Sequence, residues 1–167
     1  WHSFAEAIRA WAMAELGQID EGLDLLRQAL IELQAAGMGM FLPWAFSVFS
    51  DLCVRAGKPD EALPVLDEAL EASRLSGARW WASELMRQRA EIVHASGDVA
   101  AARSLLGEAL ALAREQEARA LELRLGASLL RLFPGDADAQ ARVRELVARL
   151  TGEVDPAELA ALTAAAG

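Results

Sequence analysis

Glu91 and His94 stand three residues apart, a spacing that sets a carboxylate and an imidazole side by side on one helical face, as in carboxylate-bridged metal sites. Such a site needs more ligands. His2 is the only other histidine, and Glu84 is the one obvious further carboxylate, two turns back, so an ordinary groove histidine is the simpler reading and no metal is expected. Cys53 and His94 supply the residue types of a nucleophile pair. Cys53, however, falls on the apolar face of a helical pattern, where a free cysteine is usually a small core residue. Ser128 sits in LGASL, which lacks the G-x-S-x-G frame of a nucleophile elbow. The chain is expected to be non-catalytic and to use no cofactor.

The elements that would carry these residues follow from a repeat. GQIDEGLDLLRQAL from Gly17, GKPDEALPVLDEAL from Gly57 and GDVAAARSLLGEAL from Gly97 recur at a spacing of about 40 residues, the mark of a helical array. Helical periodicity runs nearly throughout, without strand alternation, so the chain should be all-α. First helices are expected at about 1–16, 43–56, 80–96 and 118–133, and second helices at about 20–36, 60–76, 100–116 and 138–150, giving repeats at about 1–37, 41–77, 81–117 and 118–150. Asp155 and Pro156 suggest a short C-terminal helix at about 155–166.

The repeated columns have physical reasons. Gly17, Gly57 and Gly97 fall where one helix must end and reverse, which the left-handed conformation open to glycine allows. Asp20, Glu21, Asp60 and Glu61 follow in the first turn, where acids are expected to cap free N–H groups and complement the dipole. Ala29, Ala69 and Ala109 mark close helix contact. Leu26, Leu66 and Leu106, with Leu30, Leu70 and Leu110 four residues on, form apolar ridges that stacking must cover. Pro64 lies near enough the start of its helix to bend rather than break it. Trp80 and Trp81 are adjacent, so one is expected in the core and the other at the loop edge.

Composition narrows the class of job. A net charge of -9 and a pI near 4.7 argue against a phosphate-binding surface, so no direct nucleic-acid contact is expected. Cys53 is the only cysteine, which rules out an internal disulfide and fits a cytoplasmic location. Residues 33–50 carry no charge over about 18 positions, yet Gly37, Gly39 and Pro43 interrupt them, so two helix ends joined by a turn are expected rather than a membrane span. The start at Trp1 has neither a basic leader nor an initiator Met, and the chain is expected to be an excerpt of something longer.

Gly57, Ala62, Leu66 and Ala69, repeated by Gly17, Leu26 and Ala29 and by Gly97, Ala102, Leu106 and Ala109, resemble the tetratricopeptide repeat family in a lengthened form. EQEARALELRLGASLLRL from Glu115 is similar to a segment near the C-terminus of large bacterial ATP-dependent regulators, both LuxR-type activators and ATPase-fused class III adenylate cyclases. Its matching residues are Gln116, Ala118, Leu121, Glu122, Leu123, Arg124, Ala127, Ser128 and Leu129. The resemblance implies a right-handed α-α superhelix of about four helix pairs and a concave surface lined by the first helices. On alignment of the turn glycines, that surface holds Phe4, Trp11, Trp44, Ser47, Asp51, Arg55, Glu84, Arg87, Glu91, His94, Arg124 and Arg131. It implies binding of a protein or peptide segment, the parent protein's own ATPase domain included. Neither a P-loop nor a cyclase motif occurs, so nucleotide chemistry would belong to upstream domains. The peptide carboxylate clamp of some members needs Asn, and this chain has none. Self-association through exposed apolar surfaces is the alternative, and a small-molecule enzyme on a helical scaffold the third reading.

Overall fold

In the computed structural model the described residues are 1–151 together with Ala157 and Ala160; the expected helix at about 155–166 lies, those two residues apart, outside them. Among the described residues there are eight helices and no strand: α1 (His2–Glu15), α2 (Ile19–Ala35), α3 (Leu42–Arg55), α4 (Pro59–Ser76), α5 (Ala82–Ala95), α6 (Val99–Glu115), α7 (Arg119–Leu132) and α8 (Ala137–Leu150). The fold is an all-α helical repeat. Two compact units divide it, 1–88 and 89–167, with the boundary inside α5.

Five of the eight helix ends follow one device. At Gly17 the glycine N–H donates to the Ala14 carbonyl and the next N–H, of Gln18, reaches back to Met13, each at 3.0 Å, the paired closure that consumes carbonyls otherwise left bare. The same pair of bonds closes the helices at Gly37, Gly57, Gly97 and Glu117. All five residues have positive φ, and Glu117, at 55°, is the one non-glycine among them. Left-handed residues thus recur about every 20 positions, because the connections between pairs use the turn chemistry expected only within pairs.

Helix starts differ from expectation. Asp20, Glu21, Asp60 and Glu61 do lie in first turns, but the N-cap positions are Gln18 and Lys58, and neither makes a side-chain cap bond. Two of the acids are drawn outward to cations instead: Asp20 pairs with Lys58 at 3.3 Å and Glu61 with Arg27 at 2.9 Å. True side-chain caps occur at Asp98 and Asp136, which accept from the N–H of Ala101 (3.0 Å) and Ala139 (2.9 Å). Pro64 sits within a continuous α4. α5 begins at Ala82, so both tryptophans precede it, their rings 5.3 Å apart; Trp80 is exposed and Trp81 half-buried.

In the first unit α1 packs on α2, α2 on α3 and α3 on α4, with α1 also touching α3. Leu23, Leu26, Leu33, Leu52 and Leu66 are fully enclosed there, each contributing about 2 kcal/mol by leaving water. Ala29 and Ala69 are buried in the columns that demand small side chains. At Gly22 a Cβ would stand 2.7 Å from the Ala10 carbonyl oxygen, so α1 and α2 meet backbone to backbone. In the second unit α7 packs on α6 and on α8, around Leu106, Ala109, Leu125, Val143 and Leu146.

Candidate functional site

The expected groove residues lie on α1, α3, α5 and α7, and fall into the two units. In the first, Phe4 stacks on Phe41 with ring centres 4.2 Å apart and meets Trp44 edge-on at 5.7 Å, making a half-buried aromatic cluster that Trp1 joins through Phe41. Trp11 is 45% exposed. Ser47 is buried, and the Gln88 amide donates to both its carbonyl and its hydroxyl at 3.1 Å. Asp51 is exposed and accepts from Arg55 at 3.3 Å. Arg55 also reaches Glu15 at 2.6 Å and the Ala14 carbonyl at 2.8 Å. The Glu15 carboxylate, with Asp51 behind it, pushes the Arg55 pKa up. Glu84 is only 2% exposed, and Arg87 grips it with Nε (3.0 Å) and Nη2 (2.8 Å).

In the second unit Glu91 accepts from the Ser128 hydroxyl at 2.6 Å and from Arg131. His94 meets Phe133 edge-on at 5.3 Å. Arg124 and Arg131 are exposed. Cation and carboxylate are therefore joined across repeats at the same 40-residue offset in Arg55–Glu15 and Arg131–Glu91. Much of the charge expected to face a partner also ties one first helix to the next.

The chemistry available is that of recognition. Among the described residues no group of three or more His, Cys, Asp or Glu is placed to hold a metal ion. Burial pushes the Cys53 thiol up to about 11, which leaves almost no thiolate at neutral pH. No helix of the described residues is long and apolar enough to cross a membrane, and the uncharged stretch at 33–50 spans the end of α2, a turn and part of α3.

One polar centre escaped the sequence reading. Glu122 is fully buried, bonded to Arg149 and 3.7 Å from Arg114, while its Oε1 has no hydrogen-bond partner. The signal was present, because Glu122 lies three and seven residues before the core positions Leu125 and Leu129 and so shares their face.

These features define an α-helical repeat protein. Residues 41–115, which run from the cap of α3 through α6, match the tetratricopeptide repeat family model. Repeats of this family generally mediate protein–protein interaction. No curated protein matches the chain.

Proposed function

We propose that this chain is a non-catalytic interaction module that binds a protein or peptide segment on its first-helix surfaces, within a bacterial signalling ATPase or transcriptional regulator. The family match over residues 41–115 carries the binding role. The similarity of the segment from Glu115 carries the parentage, and the parent's own ATPase domain is the partner it favours. Contact is assigned to the accessible side chains: Trp11, Trp44, Asp51 and Arg55 on the first unit, and His94, Arg124 and Arg131 on the second. Tryptophan and arginine give large contact area with a polar handle.

Arg87 is a poor test residue, since reversing it would set a second carboxylate against buried Glu84. Trp11→Ala and Arg124→Glu remove accessible groups instead. Each is expected to weaken binding of the ATPase module by about 1–3 kcal/mol with helicity intact. Sequencing the gene upstream tests the parentage, and titration of that module in the ultracentrifuge tests the surface. Unchanged affinity in both variants removes the first-helix reading.

Self-association is a second reading, favoured by one observation on α1. Ile8 on α1 and Trp1 and Leu16 at its two ends are exposed apolar residues, and Ile8 is 42% exposed whereas Val48, its counterpart 40 residues on, is 8% exposed. Sedimentation across concentrations tests it: wild type should dimerise and Ile8→Glu should not, and a wild type that stays monomeric ends this reading.

A further inference from the structure

The second helix pair contains a cavity of about 540 Å3, and the repeat explains why it lies there. One wall is a strip of small residues on α4: Ala69, Ala72, Ser73 and Ser76. Forty residues earlier the same columns hold Ala29, Glu32, Leu33 and Ala36, and forty later Ala109, Leu112, Ala113 and Gln116. Leu33 and Leu112 are buried. The second repeat thus has neither bulky core residue, with Ser73 in the Leu33 column and Ala72 in the Leu112 column. Across the gap stand Leu42, Pro43 and Phe46 of α3, and Gly39, Met40, Ala78 and Trp80 come from the two adjoining connections. Phe46, Ala69 and Ser73 form a buried floor, while Met40 (67% exposed) and Trp80 (43% exposed) stand at the mouth.

The lining also specifies what fits. No charged side chain lines the cavity, so an ionised group inside would be stranded away from water and counter-charge. Both lining hydroxyls are already committed: Ser73 donates to the Ala78 carbonyl and Ser76 to that of Ala72, each at 2.8 Å. At Gly77 the paired closure seen at Gly17, Gly37, Gly57, Gly97 and Glu117 gives way to these serine bonds, which hold the connection over the cavity. A volume within the roughly 300–1,000 Å3 of small-molecule sites, apolar walls and an aromatic mouth define the ligand class.

We infer that this cavity is a binding site for an uncharged, largely apolar small molecule with an aromatic or branched aliphatic body. The site is separate from the partner surface proposed above and stands or falls without it. Uptake would join α3, α4 and both connections through one ligand.

The test uses N-phenyl-1-naphthylamine, an uncharged two-ring probe, titrated into the full chain. Saturable binding of one probe per chain is expected, with quenching of tryptophan emission through Trp80. Ala72→Leu, which restores the bulk found at Leu112, should weaken binding at least tenfold with the helical circular dichroism unchanged; Ser73→Leu, which restores that of Leu33, provides a second filled variant. Naphthalene-1-carboxylate should bind at least tenfold more weakly than the neutral probe. Non-saturable uptake by the wild type, or undiminished affinity in a folded filled variant, overturns the site. Equal binding of the carboxylate overturns the ligand class. A cavity that takes up no probe but becomes protected when a protein partner is bound is a docking pocket, and the small-molecule assignment fails.

Discussion

The Nη2 of Arg55 donates to the carbonyl of Ala14 at 2.8 Å, so a side chain of the second repeat adds a second donor to a carbonyl at the end of the first helix of the first repeat, which also accepts from the Gly17 N–H. Its Nη1 meanwhile bonds Glu15 at 2.6 Å. A fork that spans a carbonyl and a carboxylate uses the planar geometry peculiar to arginine. Arg55→Ala is expected to cost about 1 kcal/mol, reduced from the value of a buried charged bond because the side chain is about one-third exposed. Arg55→Lys should recover little of it. Urea denaturation of the three proteins measures this, and a lysine variant as stable as wild type would remove the bidentate argument.

Gly22 sets the repeat consensus against local packing. Its column holds Ala62 and Ala102 in the next two repeats, and alanine favours a helix interior by about 1 kcal/mol over glycine. Here, though, the new Cβ would stand 2.7 Å from the Ala10 carbonyl oxygen, which belongs to backbone and cannot swing aside. Forcing α1 and α2 apart costs about 1–3 kcal/mol, so Gly22→Ala is expected to be net destabilising by about 1 kcal/mol. A melting temperature raised by the substitution would show that the helices separate freely.

That column shows how far the sequence could be read. Among the described residues the eight helices and their boundaries were legible within two residues, because turn glycines and leucine ridges report on a chain's own local geometry. What a column cannot report is the surface across from it. Alanine fits the column at positions 62 and 102 but not at 22, opposite the Ala10 carbonyl; Asp20 and Asp60 have capping chemistry yet turn outward to Lys58 and solvent; Trp80 and Trp81 end in a connection rather than in α5. The groove list was read from one face of each first helix. Ser47 could not be seen to be enclosed, because Gln88 reaches it from 41 residues away, and Glu84, only 2% exposed, carries a charge that a face pattern assigns to the surface.

Glu122 predicts an asymmetry. Its carboxylate is fully buried, whereas Arg149 is about one-third exposed and can turn to water; Arg114 keeps its Nε and Nη2 buried. Removing Arg149 leaves the buried carboxylate without its bonded cation, whereas removing the carboxylate's charge leaves Arg149 able to turn to water and Arg114 with Glu145 at 3.7 Å. Arg149→Met is therefore expected to cost about 3 kcal/mol and Glu122→Gln about 1 kcal/mol, with Arg114 limiting the first value. Chemical denaturation of both variants decides the order. Equal losses would mean that the carboxylate is reached by water.

Asp136 gives a pH dependence whose sign follows from its contacts. Its carboxylate accepts from Arg103 at 2.5 Å and from the N–H of Ala139 at 2.9 Å, and these bonds, the arginine first, hold its pKa below the ordinary value of 3.8. A carboxyl more acidic in the folded state stabilises the fold above its unfolded pKa. That contribution is lost as pH falls through the lower folded value. Asp136→Asn keeps a capping oxygen but not the charge. It should melt below wild type at pH 7, and the gap should close between about pH 4 and pH 2. Arg103→Gln removes the other half of the pair but also the guanidinium 4.3 Å over the Phe133 ring, so its gap should narrow at low pH without closing, and added salt should narrow both. A gap that persists unchanged at pH 2 would mean that the aspartate acts through cap geometry alone.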